Sequence, residues 1–455
     1  MKRIFAVVAA ALVPAMMWTL MISPGLMMVL SLLILFLALR GVSVKVGVRL
    51  GFLYGLVLYG VSLSWMWQIF SATSIALWMI LAIFPAVAGG VVAWLTSRWN
   101  RAWWLPLCVA CCCSAIEYFR CEWFWLRFPW MTAGTAMGPN VLTPFIGVYG
   151  VSFLATLAAA MFLLENQHRM VRLMVVASIM VLFQFPAHVP SGDGEAVRVR
   201  LHQTENLDFY TYFEEAQKSE FHDGIFLWPE ASTSADVRVT EFDRNGGTQL
   251  DRVKQLAAER NAMFVFGQYR ATSEGTVINE ALSVDGSGLL CTHQKNRPVH
   301  FMNDGEPGKE ARAHDTPWGR IGTPICFDND YTEIARRMAA DGAEMFLVPS
   351  LDAERWTRRQ HWQHAEMFRL RAAETRRWMA VCASSGLSQI IDPSGKRIAT
   401  VPMMEDAILE GTLHRRTDQT IYVRVGWLFP WLITAVALFW GGFLFVRSRR
   451  DQARL

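Results

Sequence analysis

Two patterns of apolar and polar positions divide the chain. Apolar residues run almost unbroken through 4–22, about 24–39, 48–69, 75–96, 103–117, 142–164 and 170–187, and again through 425–446. A membrane-crossing helix needs about 20 such residues, so the pattern predicts seven helical spans within 1–190 and one more at 424–446. The run at 103–117 is short and closes on Glu117. The first run follows Lys2 and Arg3, as in a signal peptide, but has no good small-x-small cleavage site and leads straight into further apolar runs. It reads as a retained helix.

Between 195 and 420 the runs give way to alternation. Residues 197–202 read Val, Arg, Val, Arg, Leu, His, the period of a strand. Further strands are expected at 224–228, 263–269, 345–348 and 379–383. Residues 280–284 and 288–292 flank Asp285-Gly286-Ser287-Gly288, a hairpin signal, and Ile390-Ile391-Asp392-Pro393-Ser394-Gly395-Lys396 makes another. Helices are expected at 244–260, 331–341 and 357–377. Strands alternating with helices predict a layered α/β domain.

Composition sharpens the division. Hydrophobic residues are 53% of the 455 and charged residues 18%, with 19 Trp, 28 Phe and 22 Met. That excess excludes an ordinary soluble enzyme. A net charge of +4 carries no signature of nucleic-acid binding. None of the eight Cys forms a paired metal-ligand spacing, so neither a zinc site nor a disulfide framework is expected. Positive charge follows the connections. Lys2 and Arg3, then Arg40, Lys45 and Arg49, then Arg98 and Arg101, then His168, Arg169 and Arg172 occupy every second one, and the short connections around Ser23-Pro24 and 68–74 carry none. By the positive-inside rule both termini are cytoplasmic, 195–420 lies outside, and Arg447, Arg449 and Arg450 anchor the last span. The outer connection Glu117–Trp130 mixes aromatics with both signs of charge. It reads either as an aromatic belt or as a lipid-binding entrance built from Arg120, Trp123, Arg127 and Trp130.

Candidate chemistry sits where apolar runs stop. Leu227-Trp228-Pro229 ends at Glu230, Thr292-His293-Gln294 ends at Lys295, and Ile321 to Ile325 ends at Cys326, followed by Phe327-Asp328-Asn329-Asp330. A thiol attacking an ester or amide carbonyl needs a base, positive charge for the oxyanion and an acid for the leaving group. Glu230 supplies the first and last, Lys295 the charge, and a neighbouring lysine favours the thiolate. Other readings are a buried core cysteine, a Cys–His pair with His293, His300, His361 or His364, a metal at His361-Trp362-Gln363-His364, and a catalytically silent scaffold.

The order Glu230, Lys295, Cys326, with the wording around each, resembles the nitrilase (carbon–nitrogen hydrolase) superfamily. Apolar spans on both sides of such a domain resemble its membrane-embedded branch, the apolipoprotein N-acyltransferases, as do Glu117-Tyr118-Phe119-Arg120, Phe128-Pro129-Trp130, Gly147-Val148-Tyr149-Gly150-Val151-Ser152-Phe153, Trp362-Gln363-His364 and Arg371-Ala372-Ala373-Glu374. The resemblance implies a polytopic α-helical membrane domain (1–190), a periplasmic nitrilase-like α-β-β-α sandwich (195–420) and a C-terminal span (424–446) in a bacterial inner membrane. It implies Glu230, Lys295 and Cys326 as catalytic residues, no cofactor, a phospholipid acyl donor and a diacylated apolipoprotein acceptor. The alternative is a membrane-anchored amidase or nitrilase using the same three residues. Three stretches depart from the family. Phe301-Met302-Asn303-Asp304-Gly305-Glu306-Pro307-Gly308 replaces a Pro-Phe-Gly-Glu segment, leaving Glu306 as the expected assisting carboxylate. Phe327-Asp328 replaces Tyr-Glu, and Asp352-Ala353-Glu354-Arg355-Trp356 replaces an Asp-Ala-Trp-Phe loop.

The charge pattern makes a topological prediction. Cysteine labels or reporter fusions at Asp285 and Lys396 should report the outer side of the membrane; cytoplasmic signals at both would reverse the assignment.

Overall fold

The alternation in the middle of the chain becomes two sheets packed face to face. The computed structural model describes residues 1–164, 168–190, 194–242 and 247–453. It divides into a unit of His188–Arg424 and a unit of Met1–Ala187 with Val425–Leu455. The strands of the first are β1 (Ala196–Gln203), β2 (Gly224–Leu227), β3 (Ala262–Ala271), β4 (Val277–Asp285), β5 (Gly288–Gln294), β6 (His314–Thr316), β7 (Gly319–Gly322), β8 (Met345–Ser350), β9 (Trp378–Ala383), β10 (Gln389–Ile391), β11 (Arg397–Thr400) and β12 (Ala407–His414). One sheet has the order β12-β1-β2-β3-β4-β5, the other β11-β10-β9-β8-β7-β6. In each, three central strands run parallel (β1, β2, β3 and β7, β8, β9) and the flanking strands antiparallel.

Period two sorts the side chains between the layers. Val197, Val199, Leu201, Ile225, Leu227, Met263 and Val265 meet Ile321, Met345, Leu347, Ala380 and Ile390 between the sheets. Phe226, Trp228, Phe264 and Phe266 point the other way, onto the helices Phe209–Lys218 and Gln249–Arg260. Helices Glu333–Ala340 and Thr357–Thr375 belong to the second sheet's half, completing the expected α-β-β-α sandwich. Thr248 and Asp251 form a capping box that starts the helix Gln249–Arg260. The expected helix 244–260 begins partly outside the described residues. Helix Phe209–Lys218 and strand β12 have no counterpart among the sequence-based elements. The first opens on aromatics rather than an apolar stripe; the second alternates only weakly, with Glu410, Gly411 and Thr412 at its centre.

In the other unit, five helices among the described residues have the length and hydropathy to cross a membrane: Lys2–Thr19, Val44–Ser62, Thr73–Arg98, Thr143–Leu163 and Gly426–Ser448. The expected spans Leu26–Leu39, Leu105–Tyr118 and Arg169–Leu182 hold 14 residues each. At 1.5 Å per residue that is about 21 Å, short of a hydrocarbon core of about 30 Å. Helix Leu105–Tyr118 continues into a wide π-type turn, Phe119–Trp123. Helices Val44–Ser62 and Thr73–Arg98 approach backbone to backbone. A Cβ on Gly51 would lie 2.1 Å from the Pro85 carbonyl oxygen, and one on Gly89 2.4 Å from that of Gly47. Small residues permit such contacts where lipid offers no hydrophobic drive.

The expected entrance residues divide. Arg120 is buried: its Nη1 donates to the carbonyls of Phe128 (2.8 Å) and Trp130 (3.1 Å), and Nη2 to Trp130 (3.1 Å). Its guanidinium ties the 124–130 loop together, and Trp130 is buried beside Trp65. Trp123 remains exposed and packs on Trp431, and Arg127 is half-buried.

The close helix pair yields a stability prediction. Gly51→Val should lower the thermal midpoint of the detergent-solubilised protein by the equivalent of about 1–3 kcal/mol or more, as overpacking does. Gly60→Val, where the nearest atom is 3.9 Å from the new Cβ, should stay near wild type.

Candidate active site

Three strand ends place the expected residues together. Glu230 follows β2, Lys295 follows β5, and Cys326 starts a short 3-10 turn, Cys326–Asp330. The nucleophile strand is shorter than the apolar run suggested: β7 stops at Gly322, and Thr323-Pro324-Ile325 leads to the turn. All three side chains are buried. Lys295 Nζ lies 2.7 Å from Glu230 Oε1. Asn279 Nδ2, on β4, donates to the same oxygen at 2.5 Å. Leu351, just after β8, serves both ends of the chemistry. Its N–H donates to Glu230 Oε2 at 3.0 Å, and its carbonyl accepts the Cys326 thiol at 3.6 Å. Gly267 leaves room for the base, since a Cβ there would stand 2.6 Å from Glu230 Cα.

The second carboxylate is Asp304, not Glu306. Asp304 Oδ2 lies 2.7 Å from Lys295 Nζ and accepts from Val299 N at 2.7 Å; its Oδ1 accepts from Asn279 Nδ2 (2.8 Å) and Tyr269 Oη (2.9 Å). Glu306 is exposed and only its backbone is engaged, the N–H on Val277 O and the carbonyl on Gln294 Nε2. Asn303-Asp304-Gly305 reads as a solvent turn, so nothing in the sequence marks Asp304; the fold turns that loop inward. Gly305, at φ +88°, makes the bend, and a Cβ there would stand 2.9 Å from Asn279 N.

Asp328 ties the lysine to the cysteine. Its Oδ1 accepts from Asn296 N (3.0 Å) and Arg297 N (2.8 Å), directly after Lys295; its Oδ2 accepts from Ile325 N (3.1 Å), directly before Cys326. Cys326 itself sits at φ +44°, a left-handed conformation costly for a residue with a Cβ. Three of the four histidines raised as partners for the thiol face other groups, and the fourth, His300, lies against the Phe301 ring. His293 Nε2 faces Asp328 at 3.2 Å, His361 Nε2 faces the Ala353 carbonyl at 3.0 Å, and His364 Nδ1 faces Asp352 at 2.7 Å.

Burial and charge set the protonation states. Burial pushes the Cys326 thiol well above its ordinary value and the Glu230 charge adds to the push, outweighing Lys295. The resting thiol is therefore protonated, although Lys295 acts in the direction of the thiolate. Burial also raises the Glu230 carboxyl, with Asp304 adding and Lys295 opposing. That makes it a stronger base than a solvated glutamate. Burial works against the charge on Lys295, but Glu230 and Asp304 outweigh it and hold it well above the ordinary lysine value. Burial likewise works against ionised Asp304, but Lys295 and the bonds from Val299 N and Asn279 hold its carboxyl below the usual range.

Removing one partner of a buried ion pair costs roughly 3–5 kcal/mol. Asp304→Asn should therefore melt well below wild type at neutral pH, and Glu306→Gln should match wild type. A depressed folded pKa gives stability that is present above the ordinary carboxylate range and lost as pH falls through the folded value. The deficit of Asp304→Asn should accordingly shrink on acidification. Thermal melts across pH 3–8 read both effects, and a larger loss in Glu306→Gln would reverse the assignment.

The chain matches two families in succession. The profile of the apolipoprotein N-acyltransferase N-terminal domain matches residues 7–161, and that of the carbon-nitrogen hydrolases matches 212–422. Among relatives, an apolipoprotein N-acyltransferase of Pseudomonas putida is 27% identical, covering 87% of this chain and 88% of that protein. One of Azotobacter vinelandii is 28% identical, covering 93% and 91%. Among solved structures, Saccharomyces cerevisiae Nit3, a member of branch 10 of the nitrilase superfamily, is 20% identical, covering 50% of this chain and 93% of that one with a TM-score of 0.41. Its apolar N-terminal helices match that family's own N-terminal domain and its two-sheet unit matches the carbon-nitrogen hydrolases, so over most of its length the chain is similar to the apolipoprotein N-acyltransferases.

Proposed function

We propose that the protein moves a fatty acyl chain from a phospholipid to Cys326 and then to the N-terminal amine of a diacylglyceryl-cysteine on an apolipoprotein. The observation that carries this reading is the buried Glu230–Lys295–Asp304 cluster beside a protonated thiol, in a chain whose apolar helices match the acyltransferase N-terminal domain. The unit holding the cluster lies, on this reading, on the periplasmic side of a bacterial inner membrane, between an N-terminal set of spans and a final one.

In the first step Glu230 takes the thiol proton as sulfur attacks the ester carbonyl. Two Lys295 protons are committed to Glu230 and Asp304. The third is assigned to the oxyanion, together with the backbone N–H that follows Cys326. The C–O bond breaks, a C–S bond remains, and Glu230 hands its proton to the departing lyso-lipid alkoxide. In the second step the lipoprotein amine attacks the thioester. A C–N bond forms, the C–S bond breaks, and Glu230 carries the amine proton to the leaving sulfur. Water in place of the amine gives hydrolysis by an amidase. The names of the relatives and the apolar N-terminal domain favour transfer, because an enzyme for small soluble amides has no use for lipid-side anchorage.

Labelled phospholipid should leave an acyl adduct on Cys326 that a diacylated lipopeptide discharges as an amide. Cys326→Ser should abolish the adduct and Glu230→Gln should slow both formation and discharge. Lys295→Met should slow formation by roughly 10²–10³ or more, the cost of one oxyanion donor. Combined, the losses should be far from additive. An adduct that persists in Cys326→Ser and maps to Cys291 or Cys382 would move the site, and discharge by water at the rate of the lipopeptide would favour the hydrolase.

A further inference from the structure

A second buried charge cluster lies behind the nucleophile turn, and the reaction written above does not use it. His364, on the helix Thr357–Thr375, has Nδ1 at 2.7 Å from Asp352 Oδ1 and Nε2 at 3.5 Å from Asp330 Oδ1. All three side chains are at most 3% exposed. Asp330 closes the turn that Cys326 opens. Asp352 follows Leu351, whose backbone holds both Glu230 and the thiol. Asp352 also accepts from Gln360 Nε2 and from Ser350 Oγ, each at 3.3 Å. The carboxylate has no room to swing away, since a Cβ on Gly386 would lie 2.5 Å from its Oδ2.

The ring is hydrogen-bonded to Asp352 through Nδ1 and faces Asp330 at ion-pair distance through Nε2, and two buried carboxylates on either side of an imidazole favour its cationic form. We propose that His364 is a positioning residue for the nucleophile: as an imidazolium it joins the Cys326 turn to the Leu351 connection and cancels the charge that Asp352 turns on the thiol. The inference rests on Cys326 being the nucleophile.

The surrounding charges agree. Asp330 faces His364 from the turn, Asp352 from the connection, Lys295 from the end of β5, and His361 from its own helix. Burial works against the charge on His364, but Asp352 and Asp330 outweigh it and raise the ring to about 9, with Lys295 opposing. Burial lowers His361, which stays neutral. A folded pKa raised above the unfolded value gives a contribution that is complete below the ordinary histidine value and fades as pH rises through about 9. Asp352 is among the charges that raise the Cys326 thiol. Without the imidazolium that push is uncompensated.

The test is the pH dependence of Cys326 alkylation by iodoacetamide, read peptide by peptide with mass spectrometry on the full-length protein in nanodiscs. His364→Gln should move the midpoint up by about one pH unit or more, the size of an uncompensated neighbouring charge, and slow acyl-adduct formation about 10-fold at neutral pH. Asp352→Asn should move the midpoint down. The double variant should return toward wild type. If the two single variants leave the midpoint unmoved, or move it in the same direction, His364 only holds the fold together and the proposal falls. Where His364→Gln does not fold, Asp352→Asn decides alone: a lower midpoint supports the proposal and an unchanged one overturns it. An adduct retained in Cys326→Ser would instead overturn the choice of nucleophile, which the alkylation midpoint does not depend on.

Discussion

An ammonium group held out of water between two carboxylates is the constraint on which the catalytic unit is organised. Lys295 Nζ lies 2.7 Å from both Glu230 and Asp304. Such a charge is tolerable only where every lone pair and proton is met. Asn279, Tyr269, Val299 N and Leu351 N supply that completion from β4, β3, the loop after β5 and the loop after β8. The cluster therefore pins four parts of two sheets at once. Burial, with the Glu230 charge adding to it, keeps the nearby thiol protonated until a proton acceptor is needed. One arrangement thus meets the structural demand and poises the base.

The nucleophile is held by a frame of buried carboxylates that bind backbone N–H groups and side chains around it. Asp328 joins the residues just after Lys295 to the residue just before Cys326. Asp352 and Asp330 share His364 across the same turn. A left-handed Cys326 persists because these contacts over-determine it. Catalytic geometry must hold to a fraction of an ångström, and backbone donors on rigid strand ends give that precision better than long side chains.

The membrane unit uses polar groups for the same purpose. Arg120 spends its guanidinium on the Phe128 and Trp130 carbonyls and so closes an aromatic loop. Unmet carbonyls at membrane depth are expensive, and an arginine can satisfy two of them at once. Glycines at 47, 51 and 89 bring two long helices into backbone contact. Trp123 and Trp431 pack on each other and are left exposed.

Local pattern alone determined a good deal of this protein. Apolar runs marked the helical unit, and period-two alternation marked most strands. The ends of three apolar runs marked Glu230, Lys295 and Cys326, because chemistry sits where a strand leaves the core and its side chain must be polar. Tertiary structure decided the rest. Asp304 was illegible because Asn-Asp-Gly is the wording of a solvent turn, and only the fold turns it inward, while the Glu306 side chain stays exposed. Leu351 was illegible because its backbone acts and its side chain says nothing. Asp328 and Asp352 gave no sign of their roles until the sandwich buried them, Asp328 between Lys295 and Cys326 and Asp352 against His364. The protonation state of Cys326 was beyond sequence as well, since burial and the summed neighbouring charges set it, and both are properties of the packed molecule.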